Sequence, residues 1–468
     1  MPTQTLIEVS LPSVNLVCEA PEPVASKTVR DPIHGMIFLE PAEWAAVNSD
    51  VFQRLRGIRQ LAMTDLVYPG ATHTRFEHSI GVCHVAGRLA KTLEVTEAEY
   101  RQVRGAALLH DIGHGPFSHV SEGLIDDRSG VKGCHEAISA FLIRNDSGLV
   151  EALGQEACDQ AALLIEKVGP RTFLGDIVSG PTDADKLDYL LRDSRYAGVE
   201  YGHYDLDRIV DTARVIGRDQ PESFLGFEED GVWAVEALLL ARHHMHRQVY
   251  GHKTRIATDI MVTRALKFGI EEGAVPAEAY TVDAEGGKPK VTPEFIEWYL
   301  PQTDASVTER LLSQNSDRIS FKLADRLRCR DLLRRTASIP LHRERHTVGA
   351  QQYDKILDRT KFEPRVADLE AEIAEALGCE PYLVALYVDS QTNPTYRGPG
   401  TKINSGDIML EYRDRPPDTF ESESEIFDEE SRAEHSFAHL YTPFLSDDPQ
   451  DEAHERAKGL LWEALKKA

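Results

Sequence analysis

Apolar residues in the first part of the chain recur at helical spacing, and this limits the fold more than any other feature. In "RFEHSIGVCHVAGRLAKTL" (75–93), Phe76, Ile80, Val85 and Leu89 fall along one stripe, as they do in a helix that buries one face. "VFQRLRGIRQL" (51–61) carries Val51, Leu55 and Ile58 in the same way. "EYRQVRGAALLHD" (99–111) and "WAVEALLLARHHMHRQVYGHKTRIATDIMVTRAL" (233–266) continue the pattern. Ahead of them, "KTVRDPIHGMIFLE" (27–40) sets turn chemistry at Asp31-Pro32 and Gly35 between β-prone pieces, which predicts a small hairpin. Helical spacing resumes in "SVTERLLSQ" (306–314) and "FKLADRLRCRDLLRRT" (321–336).

Past residue 345 the texture changes. A helix near "VADLEAEIAEALG" (366–378) gives way to alternating "YLVALYVDS" (382–390) and "DIMLEYRD" (407–414), with a Pro/Gly-rich turn at 394–400 between them. The acidic "PPDTFESESEIFDEES" (416–431) reads as a solvated loop, and "EAHERAKGLLWEALKKA" (452–468) as an amphipathic helix. Residues 275–292, with Pro276, Gly286, Gly287 and Pro289, read as a surface excursion, and 1–26, with Pro21 and Pro23, as an extended arm. The fold class is therefore mainly α: a helical core with a small N-terminal β hairpin and a smaller C-terminal α/β region. The expected units are an arm at 1–26, a helical domain at 27–345 and an α/β region at 346–468.

Composition excludes several functions. No apolar run approaches the length that crosses a bilayer; "ALLLA" (237–241) is among the longest. The first residues lack the basic and apolar segments of a secretory leader. The six cysteines are scattered with no C-x-x-C pair, which points to reduced thiols and a cytoplasmic setting. A net charge of −25 repels polyanions, so broad nucleic-acid binding is not expected, and an anionic ligand needs a local basic pocket. Arginine outnumbers lysine 36 to 16, which suits two-pronged phosphate contacts.

The stretch "LLHDIGHGPFSH" (108–119) gathers His110, Asp111, His114 and His119. A wet, histidine-rich loop is one reading. The other is a site for a divalent metal such as Mn, Fe, Ni or Zn, which imidazole and carboxylate together suit. His78 sits in the preceding helix beside Arg75. In "DADKLDYLLRDSRYAG", Asp185, Tyr189 and Asp193 are four apart and share a face, with Lys186 beside it. By itself that face is also what an exposed amphipathic helix looks like.

His78, His110-Asp111 and Asp185 match the H…HD…D set of HD-domain phosphohydrolases. Seven blocks in order across 27–260 ("DPIHG", "FQRLRGIRQL", "YPGATHTRFEHSIGV", "LLHDIGHGPFSH", "HEAIS", "DADKLDYLLRD" and "ARHHMHRQVYGHK") resemble the HD-domain deoxynucleoside triphosphate triphosphohydrolases. The likeness is to the branch that joins SAM and HD domains, here without a SAM-like stretch. The resemblance implies that 27–345 is an HD phosphohydrolase domain and that 346–468 serves oligomerisation or regulation.

It further implies a divalent ion (Mn, Fe, Mg, Ni or Zn) on His78, His110, Asp111 and Asp185, and hydrolysis of a dNTP at the α-phosphorus to a deoxynucleoside and inorganic triphosphate. His119 would act as general acid, with His114 and His135 handling protons and Glu136 orienting one of them. Arg75, Lys186 and Arg242 would grip phosphates, with Tyr189, Asp193 and His246 beside them. Gln60 and Leu61 would sense the 3′-hydroxyl, and Tyr250 would lie under the deoxyribose. Lys27, Gln53 and Arg56 match a nucleotide-activator site between subunits of a homo-oligomer, tetramer or dimer. Asn48 departs from that site, because an amide cannot accept two guanine N–H bonds as a carboxylate does, and Arg30 departs where the family has an asparagine. A 5′-deoxynucleotidase, a signalling-nucleotide hydrolase and a single-strand nuclease are the alternatives.

Overall fold

A computed structural model describes residues 27–391, 407–424, 426–427, 435–443 and 452–467. The arm at 1–26 and the turn at 394–400 lie outside the described residues. The expected hairpin forms from β1 (Lys27–Asp31) and β2 (Gly35–Leu39), antiparallel from Lys27↔Leu39 to Asp31↔Gly35. Its turn is held by the Asp31 carboxylate, which accepts the N–H groups of Ile33 and His34 at 2.8 and 2.9 Å.

Helices α1 (Arg75–Thr92) and α2 (Glu97–Leu109) form the centre of the domain. Each starts on a capping box: the Thr74 N–H donates to Glu77 at 2.9 Å, and the Thr96 N–H to Glu99 at 2.8 Å. These caps fix where α1 begins, so that Arg75 opens it and His78 lies one turn in. Around this pair lie α3 (His119–Ser129), α4 (Cys134–Asn145), α5 (Ala184–Ala197) and α6 (Val232–Met245). α5 starts where the Asp183 carboxylate accepts the Lys186 N–H at 2.8 Å. α6 runs into a π-helical turn at His246–Tyr250 before α7 (Lys253–Glu271), and α7 packs against α8 (Ile319–Arg328).

The chain is mainly α, and the small sheets sit at its edges. β3 (Ala213–Ile216) and β4 (Phe224–Glu228) are antiparallel. A separate, three-stranded sheet holds β5 (Arg334–Ile339) and β6 (Ala385–Gln391), with β9 (His435–Thr442) between them. β7 (Met409–Glu411) adds to β4 in parallel, and β8 (Asp418–Thr419) pairs with β7. The two alternating stretches of the C-terminal part thus belong to different sheets. Ile408, Leu410 and Phe420 join the main core. Leu341, Ile356, Ile373, Leu440 and Leu461 form a separate one beneath α9 (Arg359–Leu377) and α10 (Glu452–Lys467).

Three local readings change. The helical pattern of 321–336 stops at Arg328. Arg330 takes φ +55°, and Arg334–Ile339 becomes a strand because its inward residues Ala337 and Ile339 pack beside β9. The 275–292 excursion is tied down by Ala279 and Tyr280, both fully buried. The acidic stretch is partly packed: Phe420 is buried, and the Ser424 hydroxyl donates to Glu236 at 2.6 Å.

Gly81 faces α5 so closely that a Cβ would lie 2.0 Å from Asp188 Oδ1 and 2.4 Å from Arg192 Nη2. Both of those groups are locked in ion pairs. Gly81→Ala should therefore destabilise the fold by about 3 kcal/mol. Gly105→Ala, in α2 with nothing within 4 Å of the added carbon, should stabilise it by about 0.5–1 kcal/mol. Urea midpoints of the two variants against wild type check both directions.

Candidate active site

His78 comes from the second turn of α1, His110 and Asp111 from the end of α2, and Asp185 from the first turn of α5. Helices distant in sequence thus bring four side chains to one point. His78 Nε2 lies 3.0 Å from Asp185 Oδ1 and 3.5 Å from Asp111 Oδ2. His110 Nε2 lies 3.2 Å from Asp111 Oδ1 and 3.8 Å from Asp185 Oδ1. The tautomers follow from the acceptors behind the rings. His78 Nδ1 faces the Asp188 carboxylate at 2.8 Å and His110 Nδ1 faces the Ala107 carbonyl at 2.8 Å, so each Nδ1 carries the proton. Both Nε2 atoms are then buried lone pairs with no hydrogen-bond partner.

Lone pairs and carboxylates that face one another call for a cation. Ligands about 2.1 Å from a shared ion stand roughly 3.0–3.4 Å apart in octahedral or tetrahedral geometry, close to the separations found. His78, His110 and Asp111 therefore fit a divalent metal, with the Asp185 carboxylate facing both imidazoles. The electrostatics agree. Burial would lower the His78 pKa, yet Asp185 and Asp188 outweigh it and lift it to about 10. Burial would raise Asp111, and Arg75, then His110 and His114, hold it well below the carboxylate range.

Beside this point lies a second cluster of titratable side chains. The Glu122 carboxylate spans two imidazoles: His119 Nδ1 at 2.7 Å and His135 Nδ1 by a short hydrogen bond. Glu136 approaches the same His135 nitrogen at 3.1 Å, so Glu122 is the group that links the two rings. Burial opposes its charge, but the bonds from His119 and His135 hold Glu122 far below its usual range, and Glu122 in turn raises His135. His114 stacks on His135 with ring centres 4.4 Å apart, and its Nε2 lies 3.3 Å from Asp111. Burial and then Arg75 push the His114 pKa well down.

The backbone here is shaped for the purpose. Gly113 packs so close to α4 that a Cβ would lie 2.3 Å from the His135 carbonyl. Phe117 and Ser118 take φ of +60° and +52°, a strained path that needs support. The Asp304 carboxylate accepts the Phe117 N–H at 2.7 Å, and the Ser118 hydroxyl donates to the Arg59 carbonyl at 2.6 Å.

All of this opens into a cleft of ≈ 1560 Å³. Gln60, Leu61, Arg75, Lys186, Tyr189 and Arg242 line it, as do Asp193, His246 and Tyr250. Arg75 ion-pairs with Asp111, donates to the Ser118 hydroxyl at 2.8 Å and lies 3.4 Å from His119 Nε2. Lys186 Nζ is engaged by Asp183 at 2.6 Å. The Tyr250 hydroxyl donates to Asp193 at 2.7 Å, and His73 holds the other oxygen of that carboxylate at 2.7 Å. The activator candidates lie elsewhere. Lys27 is on β1, and Arg56 donates to Gln53 at 2.8 Å while stacking over Phe76.

The family model of the HD domain matches residues 75–171, and that of the HD associated region matches 205–284. The chain carries an HD domain. The sequence is 37% identical over 257 residues to the deoxynucleoside triphosphate triphosphohydrolase SAMHD1 homolog of Dictyostelium discoideum, covering 52% of this chain and 49% of that one. It is 33% identical over 276 residues to SAMHD1 of Homo sapiens, covering 51% and 44%. The chain spans about half the length of the curated relatives it matches. Among solved structures, a phosphohydrolase of Bacteroides thetaiotaomicron superposes with a TM-score of 0.69 at 26% identity, over 89% of this chain and all of that one.

Sequence reasoning missed Glu122, Asp188 and His73. Glu122 stands three residues after His119 on one helix face, a spacing that could have pointed to it. Asp188 meets His78 and His34, and His73 meets Asp193, only through the fold.

A metal at His78 Nε2 competes with a proton there, which Asp185 and Asp188 favour. Rising pH removes that competitor, and manganese affinity should increase about tenfold per unit between about pH 6 and 8. Calorimetry in buffers of different ionisation enthalpy should count at least one proton released. Release of none would mean that the imidazoles are not the ligands.

Proposed function

We propose that the protein is a metal-dependent phosphohydrolase that converts deoxynucleoside triphosphates to deoxynucleosides and inorganic triphosphate. The observation that carries this is the convergence of His78, His110, Asp111 and Asp185 beside Arg75, Lys186 and Arg242 in one cleft. A divalent ion held there would supply Lewis acidity toward a phosphate oxygen and a lowered pKa for the attacking water.

The side chains do the rest. Arg75 and Arg242 bind and neutralise the triphosphate, with forked donors suited to paired oxygens. Lys186 joins them by exchanging part of its contact with Asp183 for phosphate. Gln60 and Leu61 border the 3′-hydroxyl and Tyr189 lies beside the sugar. Tyr250, fixed by Asp193, closes the space a 2′-hydroxyl would need. Water adds to the α-phosphorus and the bond to the 5′-oxygen breaks. That oxygen takes a proton from His119, which Glu122 aims, and triphosphate departs from the cationic wall.

We also assign the chain to a homo-oligomer, dimer or tetramer, in the cytoplasm. Phe38 and Met36 are 63% and 45% exposed on the hairpin that carries Lys27, an apolar face suited to a second copy. All five cysteines among the described residues are free thiols, and no helix of those residues is long and apolar enough to cross a membrane.

Purified protein with manganese and each dNTP should release tripolyphosphate and deoxynucleoside, and Asp111→Ala should lose at least about a thousandfold in kcat. Pyrophosphate or monophosphate as product, or cleavage of a labelled oligonucleotide instead, would replace this reading with another phosphohydrolase or a nuclease. Arg242→Ala should lower kcat/KM for dNTP by about 10–100-fold, on the order of 1.4–2.7 kcal/mol. Sedimentation velocity with and without nucleotides should show a dimer or tetramer. A monomer under both conditions removes the assembly.

A further inference from the structure

Asp188 takes no part in the chemistry above, yet it is among the most fully engaged groups in the protein. Its side chain is completely buried. Oδ1 faces His34 Nε2 at 2.7 Å and Arg192 Nη2 at 2.9 Å. Oδ2 faces His78 Nδ1 at 2.8 Å and Arg192 Nε at 2.7 Å. A carboxylate only accepts, so all four partners donate, two to each oxygen. That saturates Asp188 and fixes the tautomers of both histidines.

His34 does not belong to the helical core. It sits in the turn between β1 and β2, and its side chain is 2% exposed. The same turn supplies Asp31, whose Oδ2 accepts from Arg192 Nη1 at 2.9 Å while Oδ1 holds the N–H groups of Ile33 and His34. Two of the side chains that fix Asp188 and Arg192 therefore come from the hairpin, outside the HD match at 75–171.

We propose that the N-terminal hairpin is a working part of the metal centre: His34 and Asp31, through Arg192 and Asp188, hold the His78 ring with its Nε2 lone pair aimed at the ion. His34 is a positioning residue, since it acts through Asp188 and touches no reacting atom. The inference rests on the assignment of His78 as a metal ligand. Outer partners of metal-binding histidines generally set ring orientation and basicity, and their loss weakens metal binding by about 10–100-fold. Here that partner is itself set by a separate structural element.

The test uses the full chain, stripped of metal and titrated with manganese alone. His34→Ala should bind manganese about 10–100-fold more weakly than wild type, measured at a temperature where circular dichroism shows both metal-free proteins folded. His34→Gln, which keeps a donor for Asp188, should bind within about threefold of wild type. His110→Ala checks the underlying reading. If it abolishes binding while His34→Ala binds like wild type, only the hairpin's role is overturned. If wild type and His110→Ala bind alike, the metal reading fails and this inference with it. Should His34→Ala not fold, nitrogen-15 histidine spectra of zinc-loaded wild type decide. His34 must carry its proton on Nε2 and His78 on Nδ1, and either ring in the other tautomer overturns the proposal.

Discussion

One buried carboxylate with four donors organises the centre of this protein. Asp188 and Arg192 are both fully removed from water, which is expensive for charges unless nearly every donor and acceptor is matched. Here Asp188 is saturated, and Arg192 bonds to Asp188 and Asp31. Burial would push Asp188 up, but Arg192, then His34 and His78, hold it well below the carboxylate range. The arrangement imposes conditions on its neighbours. Gly81 must lack a side chain, α5 must pack close against α1, and the hairpin must fold back onto the core. The metal-facing nitrogen of His78 is the outward end of this set of contacts.

The second constraint is electrostatic and acts over a longer range. A chain with net charge −25 repels the polyanions that its cleft is proposed to bind. Arg75 and Arg242 resolve the conflict by lying in a concave, partly desolvated site, where local charge counts for more than the distant surface. Acidic groups are placed inside the cleft as well. Asp183 engages Lys186, and Asp193 is occupied by His73 and Tyr250. These pairs occupy both carboxylates within the protein, as Arg75 occupies Asp111.

Much of this was legible from residue order, for physical reasons that differ from place to place. Helical spacing gave α1, α2, α6 and α7 because each must bury a stripe. Turn residues gave the hairpin because Asp31 and Gly35 have few other uses in sequence. The H…HD…D set came through a resemblance, and its members meet at 3.0–3.8 Å. What escaped was decided by contacts between segments distant in sequence. The helical pattern read over 321–336 runs into Arg334–Ile339, which becomes a strand because β9 lies beside it. Phe420 sits in an acidic run yet is buried, because β7 and β8 lay that run along the edge of β4. Nothing in the order of residues says that His34 will reach Asp188, 154 positions away.

Arg75 joins the two halves of the site. Its guanidinium ion-pairs with Asp111, supports the strained Ser118 through its Nε, and lies 3.4 Å from the Nε2 of His119. Metal ligand, loop and proposed acid are thus registered against one planar group with five donors in fixed directions. In the resting geometry His119 Nδ1–H points to Glu122, so Nε2 can accept from Arg75. In the proposed reaction, a phosphate entering between Arg75 and His119 would exchange this contact for bonds to the guanidinium and the imidazole. Under that proposal the leaving oxygen would meet its proton donor only with the phosphate chain seated, which would tie bond cleavage to correct binding. A lysine here would keep the charge and lose the registration, because a single ammonium cannot hold Asp111, Ser118 and the phosphate in one plane.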